Sequence, residues 1–151
     1  MIHGVELKKL HVIPDERGRL MEVLRSDESF FNKFGQVYVT TAHPGVVKGW
    51  HYHKRQEDNM TVIHGMMKLV LFDGRKQSPT FGEVNEYFLG VHSPYLIKIP
   101  PIVLHGFKCI SKEEAIVINI PSEPYNRENP DEFRVDPHDN KIPYSWKRKD
   151  G

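Results

Sequence analysis

His51 and His53 are separated by one residue, so on a β-strand both imidazoles leave the same face. Gln56, Glu57 and Asp58 follow within a short turn, and His105 arrives far downstream after a bend at Pro100-Pro101. Imidazoles and carboxylates gathered on the inner faces of a small barrel support one of two chemistries. As acid/base groups they move a proton near neutral pH, because histidine's unperturbed pKa is about 6.5. As ligands, His51, His53, Glu57 and His105 form a set of three imidazoles and one carboxylate. Such a set suits Zn, Fe, Mn or Ni and leaves coordination positions open for a substrate.

The plainer alternatives are a satisfied core histidine for His51 and a hairpin residue for His64. His3, His11, His43, His92 and His138 read as solvated surface groups, and Lys147-Arg148-Lys149 as a solvated tail. Arg17-Gly18 and Asp136-Pro137 read equally as turns.

The elements that must position these groups are short strands. Val5 to Ile13 and Arg19 to Leu24 alternate, with a turn at Pro14 to Gly18 between them. Asp27 to Lys33 is read as one short helix, capped by Ser26 or Asp27. Gln36 to Thr41 is a strand by its β-branched content, His43-Pro44-Gly45 breaks it, and Val46 to His53 resumes. Asn59 to His64 and Met66 to Phe72 read as a hairpin closed at His64-Gly65. Strands follow at Glu86 to Gly90, Pro94 to Ile99, His105 to Ile110 and Ala115 to Ile120. Pro121 to Gly151 is polar and Pro-punctuated, a surface wrap with the apolar anchor Pro143-Tyr144-Ser145-Trp146 near its end. About nine or ten strands with frequent turn signals and almost no helix specify an all-β sandwich or barrel.

The 151 residues suit one domain, 1–151, and the formal charge of +1 gives no reason to expect a nucleic-acid or bilayer partner. Cys109 stands alone, so it is read as a small buried hydrophobe in a reducing compartment. The amino terminus lacks the apolar core of a signal peptide, and no run approaches the length of a membrane-spanning helix. A cytoplasmic protein is expected.

Several segments, taken in order, resemble the dTDP-4-dehydrorhamnose 3,5-epimerase family. They are Asp15-x-Arg17-Gly18-x-Leu20-x-Glu22, Gln36, and Gly45 through Tyr52, followed by Arg75-x-x-Ser78-Pro79-Thr80-Phe81-Gly82. Ile99-Pro100, His105-Gly106-Phe107 and Val135-Asp136-Pro137 complete the set, which spans roughly residues 10–146. The resemblance implies a cupin jelly roll, a homodimer exchanging an N-terminal strand, no metal, and a nucleotide-diphosphate 4-keto-6-deoxysugar as substrate. It implies that His51 takes the proton beside the ketone, that Asp136 partners it, and that His105 lies by the keto oxygen. Arg17, Glu22, Gln36 and Lys48 would contact the nucleotide and its phosphates.

The chain also departs from that family. Asn119 stands where the family has its proton-donating tyrosine, leaving Tyr125 or Tyr38 to substitute. Asp58 replaces a lysine two residues after Gln56, which with Asn119 is expected to line the substrate site. His53 replaces a glutamine and so points toward metal, whereas Ile102 occupies a position where metal-binding cupins commonly carry glycine. Two further functions therefore stand beside an epimerase or isomerase: a metal-dependent cupin enzyme on a small substrate, and a non-catalytic nucleotide-sugar-binding protein.

Overall fold

A computed structural model describes residues 1–150; Gly151 lies outside the described residues. The strands in chain order are β1 (Glu6–Lys9), β2 (Val12–Asp15), β3 (Gly18–Met21), β4 (Tyr38–Ala42), β5 (Val47–Tyr52) and β6 (Asp58–His64). There follow β7 (Met66–Asp73), β8 (Val84–Gly90), β9 (Tyr95–Ile99), β10 (Val103–Cys109), β11 (Ala115–Asn119) and β12 (Phe133–Arg134). They form two five-stranded antiparallel sheets, ordered β1-β9-β6-β11-β4 and β12-β5-β10-β7-β8, with β2-β3 as a separate hairpin. The expected all-β jelly roll is the fold observed.

The core lies between the sheets. Met60 and Val62 of β6, Leu69 and Leu71 of β7, Phe107 of β10 and Val117 of β11 are all nearly inaccessible. Cys109 is buried among them, as expected. β7 is buried on both faces, which explains why Leu69-Val70-Leu71-Phe72 is a continuous apolar run rather than an alternating one. Its outer face is covered by the C-terminal extension, where Trp146 packs on Trp50 and Val70. The anchor read from the sequence is in place, with ring centroids of Trp50 and Trp146 5.1 Å apart.

Three local readings are corrected. His64-Gly65 closes no hairpin: β6 pairs with β9 and β11, β7 pairs with β10 and β8, and Gly65 carries the chain from one sheet to the other. Gly65 has φ of 70°, and a Cβ there would stand 2.6 Å from the Glu114 carbonyl oxygen. The segment Asp27 to Lys33 holds no helix. It is too short to offset the cost of nucleation, and Glu28 is drawn instead to Lys8, Nζ to Oε2 2.5 Å. Phe30 is drawn into a small cluster with Leu10 and Leu96. The first strand splits in two because Leu10 turns into that same cluster, its N–H donating to the Pro94 carbonyl.

The Ser78-Pro79-Thr80 loop has a structural role. The carboxylate of Asp73, fully inaccessible, accepts from Arg75 Nε at 2.8 Å, Ser78 Oγ at 2.6 Å and Thr80 Oγ1 at 2.6 Å. Arg75 and Thr80 then hold the backbone of His3, which fixes the amino terminus against β7 and β8. Burial alone would raise Asp73, but these donors outweigh it and hold the carboxyl far below its usual range.

Candidate active site

The row Val103, His105, Phe107, Cys109 of β10 points into the core, so period-two alternation buries His105 among apolar neighbours. β5 lies beside β10 with His51 directly opposite His105, and their ring centroids are 4.0 Å apart. The pairing register shifts between His105 and Phe107, where Gly49 and Gly106 pack backbone to backbone. A Cβ on Gly49 would come within 2.6 Å of Gly106 Cα, so side chains there would push the two imidazole-bearing strands apart.

The facing sheet supplies the carboxylate. Met60 and Val62 set the inward parity of β6, and Asp58 at its start shares it. Asp58 Oδ2 lies 3.2 Å from both His53 Nε2 and His105 Nε2. Its Oδ1 accepts from Gln56 Nε2 and Asn119 Nδ2, each at 2.8 Å. Asn119 Nδ2 also donates to the Tyr38 hydroxyl at 2.8 Å. Tyr38, Asn119 and Asp58 thus make a polar chain across three neighbouring strands, and it ends on the imidazoles of the other sheet.

The electrostatics follow from burial. Burial, and then the adjoining His105, hold His51 well below the usual histidine value, which keeps its ring neutral. Burial opposes ionisation of Asp58, but the imidazoles of His105 and His53 outweigh it and hold the carboxyl well below its usual range. Tyr38 is pushed up to about 12 by burial and by the Asp58 charge, so its phenol stays protonated.

Tyr38, His51, His53 and Gln56 line a cleft of about 1280 Å³, together with Gln36, Lys48, Arg127 and Tyr125. Lys48 Nζ donates to Thr40 Oγ1 at 3.0 Å and has no carboxylate partner among the described residues. The Gln36 side chain accepts from the Tyr125 N–H at 3.2 Å, which ties the rim of the cleft to β4.

Of the residues singled out in the sequence, His51, His53, His105, Gln56 and Asn119 are brought together here, and Gln36, Lys48 and Tyr125 line the walls. Asp136 is not among them. It is exposed, and its carboxylate accepts from the N–H groups of His138 and Asp139 as a turn cap. Glu57 is not a member of the imidazole cluster either, because adjacent residues on extended chain leave opposite faces. Its N–H is held by Ser122 Oγ, and Lys98 and Glu6 are the charges that act on it. Asp58 occupies the position that had been given to Glu57. Arg17 pairs with Asp15 at the tip of the β2-β3 hairpin, and Glu22 with Arg25, both away from this chain's own cleft. The histidines read as surface groups, His3, His11, His43, His92 and His138, are exposed as expected.

Two functional groups escape sequence reasoning. Asp58 was legible in principle, because its parity with Met60 and Val62 points it inward. Asp131 carried no local signal. Its carboxylate accepts from the N–H groups of Lys54, Arg55 and Gln56, and its carbonyl oxygen accepts from His53 Nδ1.

The family described as dTDP-4-dehydrorhamnose 3,5-epimerase matches residues 1–151. The chain belongs to that family. It is accordingly a carbohydrate epimerase by descent, of the kind that acts on nucleotide-sugar intermediates. This epimerase is 37% identical over 146 residues to the spore coat polysaccharide biosynthesis protein SpsL of Bacillus subtilis, covering 97% of each chain. It is 40% identical over 140 residues to the probable low-salt glycan biosynthesis epimerase Agl13 of Haloferax volcanii, covering 91% of this chain and 89% of that one. Its fold matches the dTDP sugar isomerase of Desulfovibrio desulfuricans G20 with a TM-score of 0.93 and 33% identity, over 99% of this chain and 94% of that one.

Proposed function

We propose that the protein epimerises a nucleotide-diphosphate 4-keto-6-deoxysugar by removing a proton from the carbon beside the ketone. The observation that carries this reading is that His51 on one sheet and Tyr38 on the other line the same cleft, with burial holding the imidazole well below its usual value and pushing the phenol up to about 12. His51 takes the C–H proton, and the electron pair of that bond forms the enolate. A proton from Tyr38 on the opposite face then re-forms C–H with inverted configuration. The anchoring of Asn119 to both Asp58 and Tyr38 supports Tyr38, rather than Tyr125, as the donor that replaces the family tyrosine.

Lys48 and Arg127 bind the diphosphate by charge-assisted hydrogen bonds. Arg17 and Glu22 serve the cleft of a second copy in a homodimer, delivered by the β2-β3 hairpin. The exposed Ile13 and Leu20 on that hairpin support such docking. The reaction takes place in the cytoplasm.

The test is solvent-deuterium incorporation at C3 or C5 of a dTDP-linked 4-keto-6-deoxyglucose, followed by proton NMR. Wild type is expected to exchange and His51→Ala to have lost exchange. Unchanged exchange in the mutant excludes His51 as base, and tight binding with no exchange in wild type selects a non-catalytic binding protein instead.

A further inference from the structure

Asn119 stands directly opposite Tyr38 in the pairing of β11 with β4. Its Nδ2 lies 2.8 Å from the Tyr38 hydroxyl oxygen and 2.8 Å from Asp58 Oδ1. An amide's nitrogen and oxygen have the same shape, so only the partners fix which of them faces a neighbour. Here Asp58 fixes it. Burial opposes ionisation of that carboxyl, but the imidazoles of His105 and His53 hold it ionised. An ionised carboxylate only accepts, so the Asn119 amide has to present its nitrogen. Gln56 Nε2 donates to the same carboxylate oxygen at 2.8 Å. The two hydrogens of the Asn119 NH₂ group are then divided between Asp58 and Tyr38. Its buried carbonyl oxygen goes without a partner, because turning the amide would set that oxygen against the carboxylate.

The direction of this bond matters for Tyr38. A turned amide would accept from the hydroxyl and take up its hydrogen. In the orientation observed, the Tyr38 oxygen accepts instead, and its own hydrogen stays free. The hydroxyl makes no other hydrogen bond among the described residues. Tyr38 lines the cleft from one sheet and His51 lines it from the other.

We propose that Asp58 and Asn119 are positioning residues that turn the Tyr38 hydroxyl hydrogen into the cleft and stabilise the phenolate formed when that hydrogen is given up. On the epimerase reading above, on which this role rests, the Tyr38 O–H bond breaks and the electron pair of the enolate takes the proton to form the new C–H bond. The negative charge stays on the Tyr38 oxygen. The Asn119 N–H aimed at that oxygen gains strength as the charge develops, because a hydrogen bond to an ionised acceptor is roughly twice as strong as one to a neutral acceptor. The electrostatics agree: burial and the Asp58 charge push the phenol up, and the Asn119 donor pulls the other way.

The test follows deuterium uptake and inversion together, by proton NMR of a dTDP-linked 4-keto-6-deoxyglucose incubated with the protein in D₂O. His51 alone can return a deuteron to the face from which it took the proton, so exchange outlives inversion when the donor on the opposite face is lost. Tyr38→Phe is expected to lower inversion relative to exchange by ~10²–10⁴-fold. Asn119→Leu should lower the same ratio by ~10–100-fold, the worth of one charge-assisted hydrogen bond, while binding dTDP as wild type does. Asp58→Asn, which frees the amide to turn, should lower it as well. An Asn119→Leu protein in which inversion and exchange fall together, or in which dTDP binding is lost with them, overturns the orienting role and leaves the epimerase standing. If Asn119→Leu fails to fold, the ratio in Asp58→Asn decides by the same criterion. An unchanged ratio in Tyr38→Phe removes Tyr38 as the donor, and this role with it. Absence of exchange in wild type overturns the epimerase reading itself.

Discussion

Asn119 donates its amide hydrogen to Asp58 across β11 and β6, Nδ2 to Oδ1 2.8 Å, and both residues are 1% exposed. These are the two positions that the sequence reading set apart from the family resemblance. In the structure they form one unit, because a buried carboxylate needs a donor beside it and the Asn119 amide supplies one. The charge of Asp58 is thereby spent on His53, His105, Gln56 and Asn119.

Asn119→Ala is expected to lower stability by about 1–3 kcal/mol, since it leaves Asp58 short of a donor. In an Asp58→Asn background the same substitution should cost less, giving a coupling of about 0.5–3 kcal/mol in a urea-denaturation cycle. Effects that add within about 0.5 kcal/mol would show the two positions to be independent.

The two tyrosines separate by kinetics. Tyr38→Phe should lower kcat by ~10²–10⁴-fold, the usual worth of a general acid. Tyr125→Phe, which alters a half-exposed residue at the rim, should raise KM and leave kcat nearly unchanged. Steady-state rates that reverse this pattern would reassign the proton donor.

Nucleotide binding should rest on charges from both copies of a dimer. Lys48→Ala is expected to weaken dTDP by ~10–100-fold, the worth of one charge-assisted hydrogen bond. Arg17→Ala should weaken it as well, although Arg17 is remote from its own chain's cleft. Calorimetry with dTDP and sedimentation of the same samples check both. A monomer insensitive to Arg17→Ala would contradict the exchanged hairpin.

The Asp73 cluster predicts an acid-dependent difference. Its folded carboxyl is depressed, so its stabilisation is full above the unfolded value of about 3.9 and disappears as pH falls toward the folded value. Below about pH 4, wild type should lose stability more steeply than Asp73→Asn, by up to about 1.4 kcal/mol per pH unit. At neutral pH, Asp73→Asn should be the less stable protein, and parallel pH profiles in thermal melts would refute the role given to this carboxylate.

Strand identity, the all-β class, the buried cysteine and the imidazoles of the cleft were determined by the sequence itself. Each is a consequence of local chemistry: β-branched runs, period-two alternation, and histidines one residue apart. Even the Trp146 anchor could be read, because an aromatic pair in a polar tail has few other uses. What the tertiary structure decided were the relations that no local pattern encodes. Asn59 to His64 and Met66 to Phe72 look like a hairpin because a glycine between two strands turns the chain equally well within a sheet or between sheets, and only long-range pairing selects one. Asp136 and Glu57 were plausible carboxylates by motif, yet the one that meets the imidazoles is Asp58. Which acid meets which base depends on how two sheets pack, through contacts more than 40 residues apart in the chain, and packing places Asp58 of one sheet against His105 of the other.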